Sequence, residues 1–180
     1  MAIQNAILGG GCFWCIESSF NRVNGVIKAI SGYCGGNAED ADYRSVCSGL
    51  TNHAEVVWLE FDDDKVSYEQ ILDIFFYLHD PTQLNRQGND IGRQYRSSIF
   101  YLNENQQTVA LAKVAQLNAS GLYQEPLVTE VVEVMPFYPA EDYHQGYYDA
   151  NPEQAYCQFI ISPKMAKFSE KFHHLLRQSG

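Results

Sequence analysis

The chain has 180 residues, 46% of them hydrophobic and 19% charged, which is enough to form a globular domain with its own core. Its net charge of −10 at pH 7 argues against general nucleic-acid binding, which needs a basic surface. Apolar runs such as 71–78 are too short to cross a bilayer, and the N-terminus lacks a signal-peptide pattern. We therefore expect a single domain over 1–180, in the cytoplasm, with neither membrane nor nucleic acid as a partner.

Hydrophobic periodicity predicts alternating strands and helices. The segment 54–61 is apolar on both faces, which predicts a central strand covered on both sides. Ser67 with Gln70 is typical of a capped helix start, and Ser162 followed by Pro163 predicts the N-cap of the last helix. In chain order, strands are predicted at 3–8, 25–33, 54–61, 97–102 and 128–135, and helices at 13–23, 68–79, 104–119 and 164–176.

Three long connecting segments, 34–52, 80–95 and 136–157, are rich in Gly, Asn, Asp, Tyr and His. Long loops inside a compact domain are usually functional or disordered, and the many aromatic residues here argue against disorder. The sequence therefore predicts that the functional residues lie on these loops, held by a rigid sheet.

The run Gly-Gly-Gly-Cys-Phe-Trp-Cys at 9–15 is the most informative feature of the chain. It joins a predicted strand to a predicted helix, which places Cys12 at or near a helix N-terminus. Thiols at that position tend to have a lowered pKa, and the thiolate is the reactive form. Phe13 and Trp14 follow directly and could hold an apolar guest against their rings. A buried, purely structural cysteine between core aromatics is the alternative.

The cysteine count also bears on function. The number of cysteines is odd and no secretion signal is seen, which favours redox catalysis or metal binding over a static disulfide framework. There is no second C-x-x-C and no nearby H-x-x-x-H, so we expect no zinc site and no other metal. The five cysteines are Cys12, Cys15, Cys34, Cys47 and Cys157, and the histidines that lack metal-like spacing and are predicted to pack are His53, His79 and His144.

Several polar residues are candidates for chemistry. Glu55 lies inside an apolar strand, where burial would raise the pKa of its carboxyl and keep it ready to donate a proton; an edge-strand acid is the alternative. Tyr43 and Tyr95 lie on the long loops and could donate hydrogen bonds without bringing charge, although most tyrosines are packing residues. Asp90 is typical of a turn but could orient a water or a phenol. Cys157 is predicted on the last loop, from which it could swing to another sulfur.

Together these motifs resemble the peptide methionine sulfoxide reductases of the A type. The matching motifs run in order over nearly the whole chain, so the resemblance is specific. They are Gly-Cys-Phe-Trp at 11–14, Ser-Gly-Tyr-x-Gly-Gly at 31–36, Tyr-Arg-x-Val-Cys-x-Gly at 43–49, His-Ala-Glu-Val-Val at 53–57, His-Asp-Pro-Thr at 79–82, Arg-Gln-Gly-Asn-Asp at 86–90, Gln-Tyr-Arg-Ser at 94–97, Phe-Tyr-Pro-Ala-Glu-Asp-Tyr-His-Gln at 137–145, and Asn-Pro with a Tyr-Cys that ends at 157.

The resemblance implies an α/β (α+β) fold: a two-layer sandwich with a mixed sheet, a ferredoxin-like split β-α-β core and long functional loops. It implies one catalytic domain, whose C-terminal loop and helix from about 136 carry a recycling cysteine. The implied activity is reduction of the S epimer of methionine sulfoxide, free or in oxidised proteins, by a monomer that needs no cofactor and uses thioredoxin as reductant.

The resemblance also implies a role for each candidate residue. Cys12 is the nucleophile, and Phe13 and Trp14 hold the methyl group of the substrate. Glu55 is the proton donor to the sulfoxide oxygen. The supporting residues are Tyr43 and Tyr95, which assist Glu55, and Asp90, which binds water or supports the site from behind.

The recycling route is where the chain departs from the common pattern. Position 15 is Cys where many relatives carry Gly, and a single C-terminal cysteine, Cys157, matches the recycling position. We expect Cys157 to resolve the Cys12 sulfenic acid, because a loop can approach while a helix-held pair strains disulfide geometry; Cys15 is the alternative. A general thiol–disulfide oxidoreductase using Cys12 and Cys15, or a peptide-binding domain without catalysis, remain alternative functions.

Overall fold

The computed structural model describes residues 2–177; Met1 and 178–180, the two ends of the predicted domain 1–180, lie outside the described residues. Each predicted strand and helix overlaps an observed one. The strands are β1 Ile3–Gly9, β2 Val26–Cys34, β3 Ala54–Asp62, β4 Arg86–Gln87, β5 Asp90–Ile91, β6 Ser98–Tyr101, β7 Glu130–Glu133 and β8 Phe137–Pro139. The helices are α1 Phe13–Asn21, α2 Tyr43–Cys47, α3 Tyr68–Leu78, α4 Glu104–Ala119, α5 Tyr147–Ala150 and α6 Ser162–Lys171.

The main sheet has six strands in the order β7-β6-β1-β3-β2-β8. All neighbouring strands are antiparallel except β6 and β7, which run parallel, so the sheet is mixed as predicted. Two units, β1-α1-β2 and β3-α3-β6, interleave so that their strands lie in the order β6-β1-β3-β2. This is the ferredoxin-like split β-α-β arrangement, and the predicted fold class is confirmed.

The sheet carries apolar side chains on both faces. The larger core joins α1 and α3 to one face of the sheet, through residues such as Ile16 and Phe75 packed with Leu59. A smaller cluster on other sheet residues includes Ala54 and Val56. Because β3 supplies residues to both clusters and lies between β1 and β2, the predicted central strand is confirmed. No helix within residues 2–177 has both the length and the apolar character of a membrane span.

The C-terminal segment differs most from the prediction. The predicted loop 136–157 contains β8 and α5, and helical structure begins at 155 and passes through a π-helical turn, Cys157–Ile161, into α6. The predicted N-cap at Ser162 is wrong, because Ile161 before it is already helical (φ −81°, ψ −47°) and the Ser162 hydroxyl pairs with that of Tyr148 at 2.7 Å. Pro163 lacks an N–H, and the wider turn before it lets the helix continue without that donor.

Candidate active site

The glycine run turns the chain from β1 directly into α1 and places Cys12 at the N-cap of that helix, with extended dihedrals (φ −65°, ψ 127°). Gly11 has a φ of +88°, which side chains disfavour. Gly10 packs against the ring of His79, and a Cβ there would lie 2.8 Å from the imidazole. The sulfur of Cys12 is therefore held where strand and helix meet, as the sequence predicts.

Glu55 lies beside the same helix terminus. It sits on β3 with only 1% of its surface exposed, and its Oε1 accepts a hydrogen bond from the Phe13 backbone N–H at 3.2 Å. Burial raises the pKa of Glu55 to about 8; the Phe13 N–H opposes that rise, and the charge of Asp90 adds to it. The carboxyl is therefore mostly protonated at neutral pH, and the Phe13 N–H that it accepts from belongs to the residue next to Cys12.

The prediction that the helix N-terminus lowers the pKa of Cys12 is wrong. Burial raises the pKa of this thiol well above its ordinary value, and the charges of Glu55, Asp90 and Cys15 raise it further. The backbone N–H of Trp14 acts in the opposite direction but does not outweigh burial. In the resting site, therefore, both the thiol and the nearby carboxyl are uncharged at neutral pH.

The two candidate phenols converge on Glu55 from different elements. Tyr43 begins α2, and Tyr95 ends a short 3₁₀ turn, Arg93–Tyr95. Burial is the largest cause of the raised pKa of each phenol, and the Glu55 charge contributes to both. Cys12 also raises the pKa of Tyr95. Two neutral O–H donors therefore stand near the carboxyl and the thiol.

Asp90 is connected to the candidate site by the side chain of Tyr156. The carboxylate begins β5 of the small β4–β5 hairpin and accepts a hydrogen bond of 2.5 Å from the Tyr156 hydroxyl. Burial raises the pKa of Tyr156, and Cys12 and Asp90 raise it further. Tyr156 therefore links the hairpin to the thiol. From the sequence, this tyrosine is only one of the aromatic residues of the predicted loop 136–157, and no role is predicted for it.

An aromatic cluster surrounds Trp14. Its indole N–H donates to Nδ1 of His144 at 3.0 Å, and its ring stacks on Tyr147 with centroids 3.9 Å apart. The His144 ring also lies 4.2 Å from Tyr43 and 5.3 Å from Phe13, centroid to centroid. Phe13 is fully buried, whereas Trp14 is half-buried. Trp14 is thus partly accessible at the edge of the cluster, and Phe13 supports the cluster from within.

His144 is the functional candidate that sequence reasoning missed, since it was predicted only to pack. Because Nδ1 accepts from Trp14, the ring proton resides on Nε2, which is buried and has no hydrogen-bond partner among residues 2–177. Burial also lowers the pKa of His144, which keeps it neutral and able to accept. The available signal was that the N–H of even a partly buried indole usually has an acceptor, and His144 lies in the longest of the recognised motifs.

Buried Glu17 fixes the turn that carries His144. Its carboxylate accepts from the Gly146 N–H at 2.9 Å and from the Ser31 hydroxyl at 3.2 Å. We expect Glu17→Ala to lower the free energy of unfolding by about 3 kcal/mol, because the buried Ser31 hydroxyl and the half-buried Gly146 N–H both lose their acceptor. Urea denaturation measures this. Glu39→Ala, at an exposed acid, is the control and should change stability by less than about 0.5 kcal/mol; equal effects would contradict this role.

The five cysteines are unpaired and occupy different surroundings. Cys12 and Cys15 line one small cavity together with Asp90 and Lys164. The prediction that Cys157 lies on a flexible loop is wrong: it begins the π-helical turn and is completely buried in the larger core. Its neighbours along the chain provide helical hydrogen bonding and apolar packing that the loop composition did not reveal.

Comparison with known proteins places this site in a family. The family model for peptide methionine sulfoxide reductase matches residues 4–176. The chain belongs to the peptide methionine sulfoxide reductase family. It is accordingly an oxidoreductase that reduces methionine sulfoxide by thiol chemistry.

Relatives of this reductase match along nearly its whole length. The peptide methionine sulfoxide reductase MsrA of Chromobacterium violaceum is 51% identical over 97% of this chain and 99% of its own length. That of Acinetobacter baumannii is 52% identical over the same shares. Among solved structures, reduced Mxr1 from Saccharomyces cerevisiae has a TM-score of 0.76 at 30% identity, covering 86% of this chain and 89% of its own. Methionine sulfoxide reductase A of Corynebacterium diphtheriae has a TM-score of 0.73 at 34% identity, and the match covers 83% of this chain and 76% of its own.

Proposed function

We propose that Cys12 attacks the sulfur of methionine-S-sulfoxide, free or in proteins, while Glu55 protonates the sulfoxide oxygen. The observation that carries this proposal is the buried Glu55 carboxyl, hydrogen-bonded to the Phe13 N–H next to Cys12, with a pKa raised to about 8. A sulfoxide reductase needs a nucleophilic sulfur and a proton source at one reacting atom, because bare oxide is a poor leaving group.

The reductive step balances without a cofactor. The Cys12 thiol and the sulfoxide give Cys12 sulfenic acid and methionine, so the oxygen passes from one sulfur to the other. The sulfoxide sulfur carries partial positive charge, which stabilises the thiolate that the empty site disfavours. Tyr43 and Tyr95 donate hydrogen bonds to the oxygen as it gains negative charge. Asp90, bonded to Tyr156, supports this arrangement from the side of the hairpin.

The aromatic cluster suits the methyl group of the substrate. Trp14 presents its half-buried ring face, and His144 and Tyr147 hold that ring in place. Phe13 forms the buried layer behind it. Binding the methyl group against a fixed wall leaves the oxygen and the lone pair of the sulfur in distinct positions, which is the basis on which we propose selection of the S epimer.

Turnover requires reduction of the sulfenic acid. We propose that a second thiol, Cys157 or Cys15, condenses with it to a disulfide, which thioredoxin then reduces. The structure of Mxr1 of Saccharomyces cerevisiae, which is 23% identical to this chain with a TM-score of 0.53, has been solved in complex with Trx2. Unpaired cysteines, odd in number, suit a reducing compartment, so we place the enzyme in the cytoplasm, acting as one catalytic domain over 1–180.

The proposal is tested by mixing the reduced protein with two molar equivalents of a methionine sulfoxide peptide in which the two epimers are present in equal amounts, so that one equivalent of the S epimer is supplied. We expect the S epimer to be consumed, one methionine to form per protein, and Cys12 to appear in a disulfide by mass spectrometry. Loss of both epimers at one rate would contradict the epimer selection. Reduction of insulin disulfides without methionine formation would favour the thiol–disulfide oxidoreductase, and full function of Cys12→Ala in peptide capture would favour a binding domain.

A further inference from the structure

The geometry points to Cys15 as the thiol that condenses with the Cys12 sulfenic acid, with Lys164 as a positioning residue that stabilises the Cys15 thiolate. This inference rests on the proposed function and specifies its recycling step. It reverses the expectation, drawn from the sequence, that Cys157 resolves the sulfenic acid because it lies on a loop.

Cys12 and Cys15 are close enough to react without unfolding. Both line the same small cavity, and Cys15 lies in the first turn of α1. Side chains three residues apart at a helix start are neighbours, so only a small local shift separates the two side chains from the geometry of a disulfide. Cys12 has extended rather than helical dihedrals, so it is not held inside the helix that holds Cys15. The strain expected of two helix-locked cysteines therefore does not arise here.

Cys157 is separated from that cavity by structure that would have to break. It is completely buried in the larger core, and its backbone is part of the π-helical turn that leads into α6. Its neighbour Tyr156 does line the cavity, where its hydroxyl is bonded to Asp90 at 2.5 Å. Bringing the Cys157 sulfur to Cys12 would require this turn to unwind and Tyr156 to leave its place.

The charges around the Cys15 thiol also differ from those around the Cys157 thiol. Burial raises the pKa of Cys15, and the Lys164 ammonium is the largest opposing influence, followed by the Ser19 hydroxyl and the Arg22 guanidinium. Burial raises the pKa of Cys157 as well, but there the Glu153 carboxylate raises it further. The ionisable groups that share the cavity with Cys15 are Cys12 from the start of α1, Asp90 from the hairpin, Tyr156 from the segment before the π turn and Lys164 from α6.

The condensation balances with the groups present. The Cys15 sulfur attacks the sulfenic sulfur of Cys12, an S–S bond forms, the S–O bond breaks, and the hydroxyl leaves as water with the Cys15 thiol proton. No oxidant beyond the methionine sulfoxide is needed. Lys164 also lines a groove of about 820 Å³ that adjoins the cavity, which gives an external dithiol a route to the new disulfide.

The route is tested by a single turnover followed by acid quenching and peptide mapping. We expect a Cys12–Cys15 disulfide as the first product in the native chain and in Cys157→Ser. In Cys15→Ser we expect methionine to form at the normal rate while the sulfenic acid accumulates, trapped by a dimedone probe. A Cys12–Cys157 disulfide as the first product, or unchanged disulfide formation in Cys15→Ser, would overturn the inference. Absence of methionine would instead count against the proposed function.

Lys164 is tested separately, with Lys167 as the matched control. Lys164→Gln removes a cation that lowers the pKa of Cys15, so less thiolate is present at pH 7 and the rate returns as pH rises. Because a more basic thiolate is also a better nucleophile, the rate falls by less than the amount of thiolate does, and we expect disulfide formation to be slower by roughly threefold. Lys164→Arg should restore the rate. Lys167→Gln, exposed on the same helix, should leave it unchanged, and equal effects of the two glutamine variants would refute the role of Lys164.

Discussion

Cys12→Ser is expected to abolish methionine formation, with a rate at least about 10⁴-fold below that of the native chain. A serine hydroxyl ionises far less readily than a thiol and is a poor nucleophile toward sulfur, and it cannot become a sulfenic acid. The substitution is nearly isosteric at the N-cap of α1, where Ser is a favoured residue, so the fold should be retained. Methionine released from a sulfoxide peptide is measured over hours by chromatography.

Cys34→Ser is the matched control for that variant. Cys34 is fully buried at the end of β2, and its thiol donates to the Met135 carbonyl at 3.4 Å, a contact that a hydroxyl can replace. We expect nearly normal activity from it. Residual activity above a tenth of normal in Cys12→Ser would show that another residue is the nucleophile. Cys47 would then be the first candidate, because its thiol is hydrogen-bonded to the Tyr43 hydroxyl.

Patterns that are local in the sequence were sufficient to predict much of the secondary structure and one residue of the candidate site. Periodicity placed α4 at 104–119, as observed, and the two apolar faces of 54–61 identified the central strand. The acid inside that strand, Glu55, was a candidate because both of its neighbours in the strand are apolar, which favours burial, and burial raises its pKa. These inferences depend on neighbours along the chain, which a sequence shows directly.

What could not be predicted depends on contacts between distant segments. The pKa of Cys12 rises because the hairpin, β3 and the segment before α6 enclose it, and none of these adjoins it in sequence. Cys157 is helical and buried because Pro163 is accommodated by a π-helical turn, where a cap had been expected. His144 is the acceptor for an indole that lies 130 residues away in the chain.

Glu55→Gln is expected to slow the reductive step by about 10²-fold or more, since a glutamine cannot transfer a proton to the departing oxygen. Its amide oxygen can still accept from the Phe13 N–H, so the site keeps its shape. The rate of methionine formation in a single turnover isolates this step from disulfide reduction. Glu60→Gln, on the same strand but half-buried, is the control and should retain the normal rate. Nearly normal activity in Glu55→Gln would remove Glu55 from its proposed role.

The pH dependence of the same variant distinguishes proton donation from packing. With a pKa of about 8, Glu55 is protonated below that pH and loses its proton above it, so the native reductive rate should fall as pH rises past about 8. Glu55→Gln should lack that fall. A fall of the same size in the variant would show that Glu55 is not the group that titrates there, and the phenols of Tyr43 and Tyr95 could not replace it, because burial raises the pKa of both.

The substitution Glu55→Gln should change the stability of the protein in the opposite direction from its activity. Because the pKa of folded Glu55 lies above its ordinary value, the folded state holds a proton that the unfolded chain has released, and stability falls as pH rises toward about 8. Glu55→Gln has no carboxyl that must stay protonated in the folded state, so it does not lose stability in this way. Its free energy of unfolding should exceed that of the native chain at pH 8, while the two free energies should be similar at pH 4. A carboxyl that served only the fold would show the reverse, since removing it would weaken the protein without a specific loss in the rate of oxygen transfer.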